Sequence, residues 1–213
     1  MSVTVVVLSY NRPRLIREAL NSIHGADRVI IADDGSDLID FPALLKDFAH
    51  LSPLLLSAPP LSIEERQNSR RLGDLLNKAM AMADHGFLGY LCDDDLFHPE
   101  WLTVAAAALR DSPDCIGVMG QWWEFEDGKK EVRLARGDWL NFLHRWPCRT
   151  RWPKMTIGAD NIFLAVLRCE GPLRGLGQIA GYRRIHPAQL GWTVGMDDMT
   201  GERTQVALER GRE

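Results

Sequence analysis

Val3-Thr4-Val5-Val6-Val7-Leu8 contains no charged or turn-forming residue, and it decides the class of fold. Mostly β-branched side chains on both faces leave the strand no solvent side, so it must lie in a sheet covered by helices front and back. The pattern then repeats. Ser9-Tyr10-Asn11-Arg12-Pro13 breaks the run, and Leu15, Ile16, Ala19, Leu20 and Ile23 recur at helical spacing as far as Gly25. Arg28 to Ala32, Leu54 to Ser57, Phe87 to Cys92 and Cys115 to Met119 read as further strands. Helical stretches over Phe41 to His50, Ile63 to Asp84 and Pro99 to Arg110 lie between them, with Gly73 a weak point in the second. Such alternation predicts an α/β fold with a Rossmann-like, mostly parallel sheet and helices on both faces. A chain of 213 residues fits one domain over residues 1–195, followed by a polar tail over 196–213.

In sheets of this kind ligands collect outside the carboxyl ends of the strands. Three polar clusters fall there: Ser9-Tyr10-Asn11, Asp33-Asp34-Gly35-Ser36-Asp37 and Asp93-Asp94-Asp95. The triplet is the most informative. Like charges so close repel one another, which calls for a counter-charge, and hard oxygen ligands favour Mg²⁺ or Mn²⁺. Because such a metal completes its shell with substrate phosphates, the implied ligand is a diphosphate. The structural alternative is a solvated acidic loop ahead of a helix N-terminus.

Composition narrows the field further. A formal charge of −4 gives no global case for nucleic acid, although most of the 25 basic residues are Arg, the side chain suited to bidentate phosphate contacts. Cys92, Cys115, Cys148 and Cys169 form neither a C-x-x-C pair nor a zinc spacing and read as reduced thiols. Met1-Ser2-Val3-Thr4 lacks a charged leader region, and no apolar run approaches the ~18 residues of a membrane span. The expectation is a cytoplasmic protein, in the host cytoplasm if the source is viral, with no integral membrane segment.

Four stretches in this order resemble the family 2 glycosyltransferases of the GT-A fold, most of all the spore-coat polysaccharide type of nucleotide-sugar transferase. They are Val6-Val7-Leu8-Ser9-Tyr10-Asn11-Arg12-Pro13, Ile31-Ala32-Asp33-Asp34-Gly35-Ser36, Arg71 with Asn77-Lys78-Ala79, and Tyr90-Leu91-Cys92-Asp93-Asp94-Asp95 with Pro99-Glu100-Trp101-Leu102. Gly158-Ala159-Asp160-Asn161 and Tyr182-Arg183-Arg184-Ile185-His186 match more weakly. The resemblance implies a GT-A domain with a nucleotide-sugar half over residues 1–114 and a small acceptor lobe over 115–195. The implied reaction is metal-dependent, inverting transfer from a nucleotide-diphosphate sugar, with a UDP-sugar favoured, to a hydroxyl acceptor such as a glycan.

Particular roles follow from the same resemblance. Ser9, Tyr10 and Asn11 line the donor, with Tyr10 beside the nucleobase. Asp34, or Asp33, accepts a hydrogen bond from the base, and Arg71 reaches the nucleotide or its phosphates. Asp93 faces the ribose, Asp94 binds the metal, and Asp95 is a second ligand or orienter. A shifted register also fits, because Cys92 stands where many members carry an acid. Asp160 matches the base that takes the acceptor proton, and a helix N-terminus would keep it ionised; its alternative reading is an N-cap. His186 matches a further metal ligand, against a purely structural histidine.

Beyond Gly120 the alternation stops. A helix is expected over Asp138 to Leu143, a late strand over Gln178 to Ile185, and a final helix from Arg203. Between them, His144 to Lys154 is a proline-broken segment with four permanent cations and two Trp. Arg149 and Arg151 interleaved with Trp146 and Trp152 suit a phosphate backbone with stackable bases, which admits nucleic acid, such as a modified base in viral DNA, as the acceptor. Trp stacking on sugar and simple lid packing are the other readings. Two alternatives compete with transfer: a sugar nucleotidyltransferase, for which the Gly-rich loop after the first strand is missing, and a non-catalytic nucleotide or nucleic-acid binding module.

Overall fold

The computed structural model describes residues 1–62, 65, 69, 71–129, 132–134, 141–154 and 158–186. Strand β1 (Ser2–Ser9) is central, flanked by β2 (Arg28–Asp33) and β4 (Gly86–Cys92), with β3 (Leu54–Ser57) beyond β2. All four run parallel. They carry helices α1 (Pro13–Asn21), α2 (Phe41–Asp47) and α3 (Leu72–Ala81) in their connections. The expected helix to His50 stops at Asp47 and passes into a 3₁₀ turn over Ala49–Leu51.

The second half closes the sheet differently. After the two-residue strand β5 (Leu96–Phe97) and helix α4 (Trp101–Asp111) come β6 (Gly117–Phe125), β7 (Val132–Leu134), β8 (Phe142–Trp146), helix α5 (Ala159–Leu167) and β9 (Leu173–Arg184). The strand order is β3-β2-β1-β4-β8-β6-β9-β5, with β7 on β6. Strand β8 enters antiparallel between β4 and β6, where a helix over 138–143 was expected. Residues 135–140 lie outside the described residues, but Phe142 and Leu143 are strand. The alternation was hard to see because both faces of β8 are buried. Phe142 and Trp146 join one core, while Leu143 joins the other.

The same period of two divides β1. Val3, Val5 and Val7 pack with α1, α2 and α4, while Val6 packs with α3 and α5. Of residues 63–70, the first part of the predicted helix over 63–84, only 65 and 69 are described, so Arg66 and Arg70 lie outside the described residues, as do the tail and the helix expected from Arg203. Gly73 has a tertiary reason. A Cβ there would stand 2.1 Å from the Pro153 carbonyl oxygen, and Asn77 one turn on exchanges two hydrogen bonds of 2.9 Å with the Trp152 main chain. Only glycine lets residues 152–153 lie on α3.

Candidate active site

The parallel ladder continues one residue into each loop and draws the polar clusters together. Asp34 N–H donates to the Ser9 carbonyl and Asp93 N–H to the Leu8 carbonyl, each at 2.9 Å. The loops after β1, β2 and β4 are therefore neighbours at one sheet edge. Asn11 takes φ +50°, a conformation Asn tolerates better than most side chains. Its N–H donates to Ser36 Oγ at 2.9 Å, and its Oδ1 accepts from the main chains of Asp37 and Leu38. The amide oxygen of Asn11 is thus committed to shaping the loop. The Ser9 hydroxyl is buried with no protein partner among the described residues.

Asp33 and Asp34 divide their work. Both oxygens of Asp33 accept from Ser36, closing the turn. Asp34 instead faces Arg71, whose Nε lies 2.6 Å from its carboxylate while one terminal nitrogen donates to the Asp34 carbonyl and the other to that of Pro59. Gly35, between these acids and Ser36, has φ +84°, and a Cβ there would meet the Pro59 carbonyl oxygen at 2.7 Å.

The acidic triplet is held from three directions. Asp93, 1% exposed, accepts the Tyr10 N–H at 2.8 Å and pairs with Arg12 at 2.7 Å. Asp94 Oδ2 lies 3.2 Å from the same Arg12 nitrogen and 3.0 Å from His186 Nε2. Asp95 accepts the Arg184 N–H at 3.0 Å. His186 reaches Asp94 because β9 pairs with β5, the strand that leaves the triplet, through Tyr182 and Leu96.

The three carboxyls do not share one ionisation behaviour. Burial pushes Asp93 up to about 6 in spite of Arg12. Asp95 is raised well above the usual range by burial and by the charge of Asp94. For Asp94 burial acts upward too, but the His186 hydrogen bond and Arg12 outweigh it and hold the group below its usual value. One carboxylate held below its usual range therefore stands between two raised above it.

Several residues of this cluster escaped the sequence reading. Arg12 appeared in the motif without a role. Arg184, 3% exposed, donates to the Asp94 carbonyl, pairs with Glu18 of α1 at 2.5 Å and with Asp127 of the β6–β7 turn, and stacks over Phe125. Its Glu18 partner is 166 positions away, so no local signal could expose the pair.

The donor set fits a divalent cation. Ligand atoms of Cys92, Asp94 and Asp95 lie within 4.8 Å of one another, and the His186 ring nitrogen is on Asp94. Carboxylate oxygens with an imidazole suit Mn²⁺ or Mg²⁺, and the thiol is the softer member.

Asp160 lies in the first turn of α5, half-buried; the N-cap is Gly158 at φ +72°, so the capping alternative for Asp160 falls away. Helix α5 packs Phe163 against Tyr90 of β4 with ring centroids 5.9 Å apart.

The basic segment takes a different part from the one its composition suggested. Trp152 is 3% exposed and stacks on Phe163 at 4.3 Å, and Trp146 is 9% exposed and donates to the Ala83 carbonyl. Neither ring is open to a base or a sugar. Arg145 caps the C-terminal end of α4 through the Leu109 and Ser112 carbonyls, Arg151 donates to the Cys148 and Thr150 carbonyls, and Lys154 pairs with Asp74. Arg149 is exposed, with its main-chain N–H on Glu170. The stacking surface that pointed to nucleic acid is in the core.

An open α/β sheet with acids gathered at its carboxyl edge is the arrangement of a GT-A glycosyltransferase domain. The chain belongs to glycosyl transferase family 2, whose sequence profile matches residues 4–166. Protein CgeD of Bacillus subtilis (strain 168) is 26% identical over 148 residues, covering 67% of this chain and 33% of CgeD. The chain thus spans about a third of the length of that curated relative. The S. aureus TarS 1–349 structure in complex with UDP-GlcNAc superposes with a TM-score of 0.72 at 15% identity, over 99% of this chain and 65% of that one. The mannosyltransferase PcManGT from Pyrobaculum calidifontis, solved with GDP-Man and Mn²⁺, gives 0.60 at 17% identity, over 89% of this chain and 58% of that one. No helix among the described residues is long and apolar enough to cross a membrane.

Proposed function

We propose that the chain transfers a sugar, with inversion, from a nucleotide-diphosphate sugar to a hydroxyl acceptor. The observation that carries this reading is the meeting of Asp93, Asp94, Asp95 and His186 beside the Asp34–Arg71 pair at the carboxyl edge of β1, β2 and β4. In this reading Tyr10, Asp34 and Arg71 hold the nucleoside, and Asp93 the ribose. Asp94, Asp95 and His186 would hold Mn²⁺ or Mg²⁺, with Cys92 alongside. The bound ion would supply charge stabilisation for the leaving diphosphate. Asp160 takes the proton from the acceptor oxygen as that oxygen bonds to the anomeric carbon and the sugar–diphosphate bond breaks. The first-turn position favours the carboxylate form that a base requires. The match to TarS with UDP-GlcNAc supports a UDP-sugar donor, and a glycan is the favoured acceptor class.

Thermal unfolding with UDP, GDP, CDP, ADP and dTDP, each with Mn²⁺ or with chelator, tests this. A ligand at 100 times its Kd adds about 2.7 kcal/mol, a shift of roughly 5–10 °C for a chain of this size. The expected outcome is a metal-dependent shift with one nucleotide, lost in Asp94→Ala and kept in Asp160→Asn, while Asp160→Asn loses sugar transfer. Absence of a shift with every nucleotide overturns the reading.

A further inference from the structure

Arg12 holds a position that the donor reading does not use. It is the residue before α1, its side chain is 21% exposed, and one of its terminal nitrogens reaches two carboxylates at once, Asp93 at 2.7 Å and Asp94 at 3.2 Å. The Asp94 oxygen it touches, Oδ2, is the one that also faces His186. A divalent cation approaching that oxygen meets a guanidinium already there.

We propose that Arg12 is a built-in competitor for the metal site, which makes uptake of the cation and of the nucleotide diphosphate mutually dependent. The proposal rests on the reading of Asp94 as a metal ligand. A cation that takes Asp94 Oδ2 displaces Arg12 from it and brings two positive groups close together, which costs free energy when the cation comes alone. A diphosphate arriving with the metal reverses that cost. Its oxygens give the displaced guanidinium a bidentate partner, while the Asp93 contact tethers the side chain nearby. The 21% exposure and the place of Arg12 at the helix start, outside the packed face of Ile16, Ala19 and Leu20, leave room for the swing. By linkage, metal then tightens nucleotide by the factor with which nucleotide tightens metal.

The test is a Mn²⁺ titration read by electron paramagnetic resonance, with and without UDP, so that no turnover is needed. In the native chain UDP should tighten Mn²⁺ by roughly tenfold or more, within the ordinary range of coupling. Arg12→Gln should bind Mn²⁺ alone roughly tenfold more tightly than the native chain, and UDP should add correspondingly less. Should Arg12→Gln fail to fold, Arg12→Lys carries the test: the lysine chain is one bond shorter than the path to the arginine nitrogen that spans Asp93 and Asp94, so its hold on Asp94 is weaker and Mn²⁺ alone again binds more tightly than to the native chain, by a smaller factor. Unchanged Mn²⁺ affinity in both variants, with the native response to UDP intact, overturns the competitor role and leaves the donor site standing. If no protein binds Mn²⁺ under either condition, the metal reading fails and this proposal with it.

Discussion

Asp93-Asp94-Asp95 and the segment from His144 to Lys154 are both crowded with charge of one sign, and the fold treats them differently. The acids sit at the open edge of the sheet and draw their partners from distant elements: Arg12 before α1, and Arg184 and His186 at and beyond the end of β9. Three of the four bases are spent on main-chain carbonyls and one surface carboxylate within the framework, Arg149 lies exposed, and the two Trp rings are inside. An arginine presented with unfilled carbonyls at a helix end binds them, because an unsatisfied buried carbonyl is costly. The triplet carboxylates take both kinds of partner, the main-chain N–H groups of Tyr10 and Arg184 and the side chains of Arg12 and His186. Charge density along a sequence therefore points to a candidate site where the charges gather side-chain partners at the open sheet edge, and to framework where they are taken up by helix ends and loop carbonyls.

The comparison breaks most visibly at Trp152. Trp152→Ala should cost about 4 kcal/mol of unfolding free energy, since the ring is buried against Phe163 and Tyr90. Below its melting temperature the variant should retain UDP affinity, measured by calorimetry. A stable variant that loses an acceptor would return the ring to the site.

His144 sharpens the contrast at intermediate size. Burial lowers its pKa from 6.5 to about 4, and its ring stays neutral between the Tyr90 hydroxyl and the Arg145 carbonyl. Below pH 6.5 the unfolded chain takes up a proton that the folded chain refuses until about 4, so stability falls as pH falls through that window. From pH 7 to pH 5 the loss from this residue is about 2 kcal/mol. Asp93, raised to about 6, has the opposite sign: the folded chain holds the extra proton, and stability falls as pH rises from its ordinary 3.8 towards 6. Denaturant melts of His144→Gln against the native chain at both pH values isolate the first effect. Equal pH slopes would place His144 outside the titration.

The smallest effect belongs to Arg149. Its side chain is exposed and its bond to Glu170 uses the main chain, so Arg149→Glu should move stability by no more than about 0.5 kcal/mol. It should equally leave UDP binding unchanged. A large loss of binding would show that this cation reaches the donor.

How far the sequence could be read varies along the chain. The parallel strands from Ser2 to Cys92 and their helices followed from runs of apolar residues and from turn chemistry, which are local signals. The acidic edge was equally legible, because strand ends and Asp-Gly turns fix where a loop must be. Strand β8 was misread as helix in part because a strand buried on both faces loses its alternation. Gly73 looked like a flaw in α3, and only the crossing of Pro153 explains it.

By itself, then, the sequence determined the class of sheet, the edge at which the acids gather and the family to which the chain belongs. The tertiary structure alone decided which partners those charges take. It placed Arg12 on two carboxylates, joined Arg184 to Glu18 across the chain and took Trp146 and Trp152 into the core. The physical reason is range. Backbone periodicity is set by neighbours a few positions apart, whereas the partner of a charge is set by whatever the fold brings within a few ångströms.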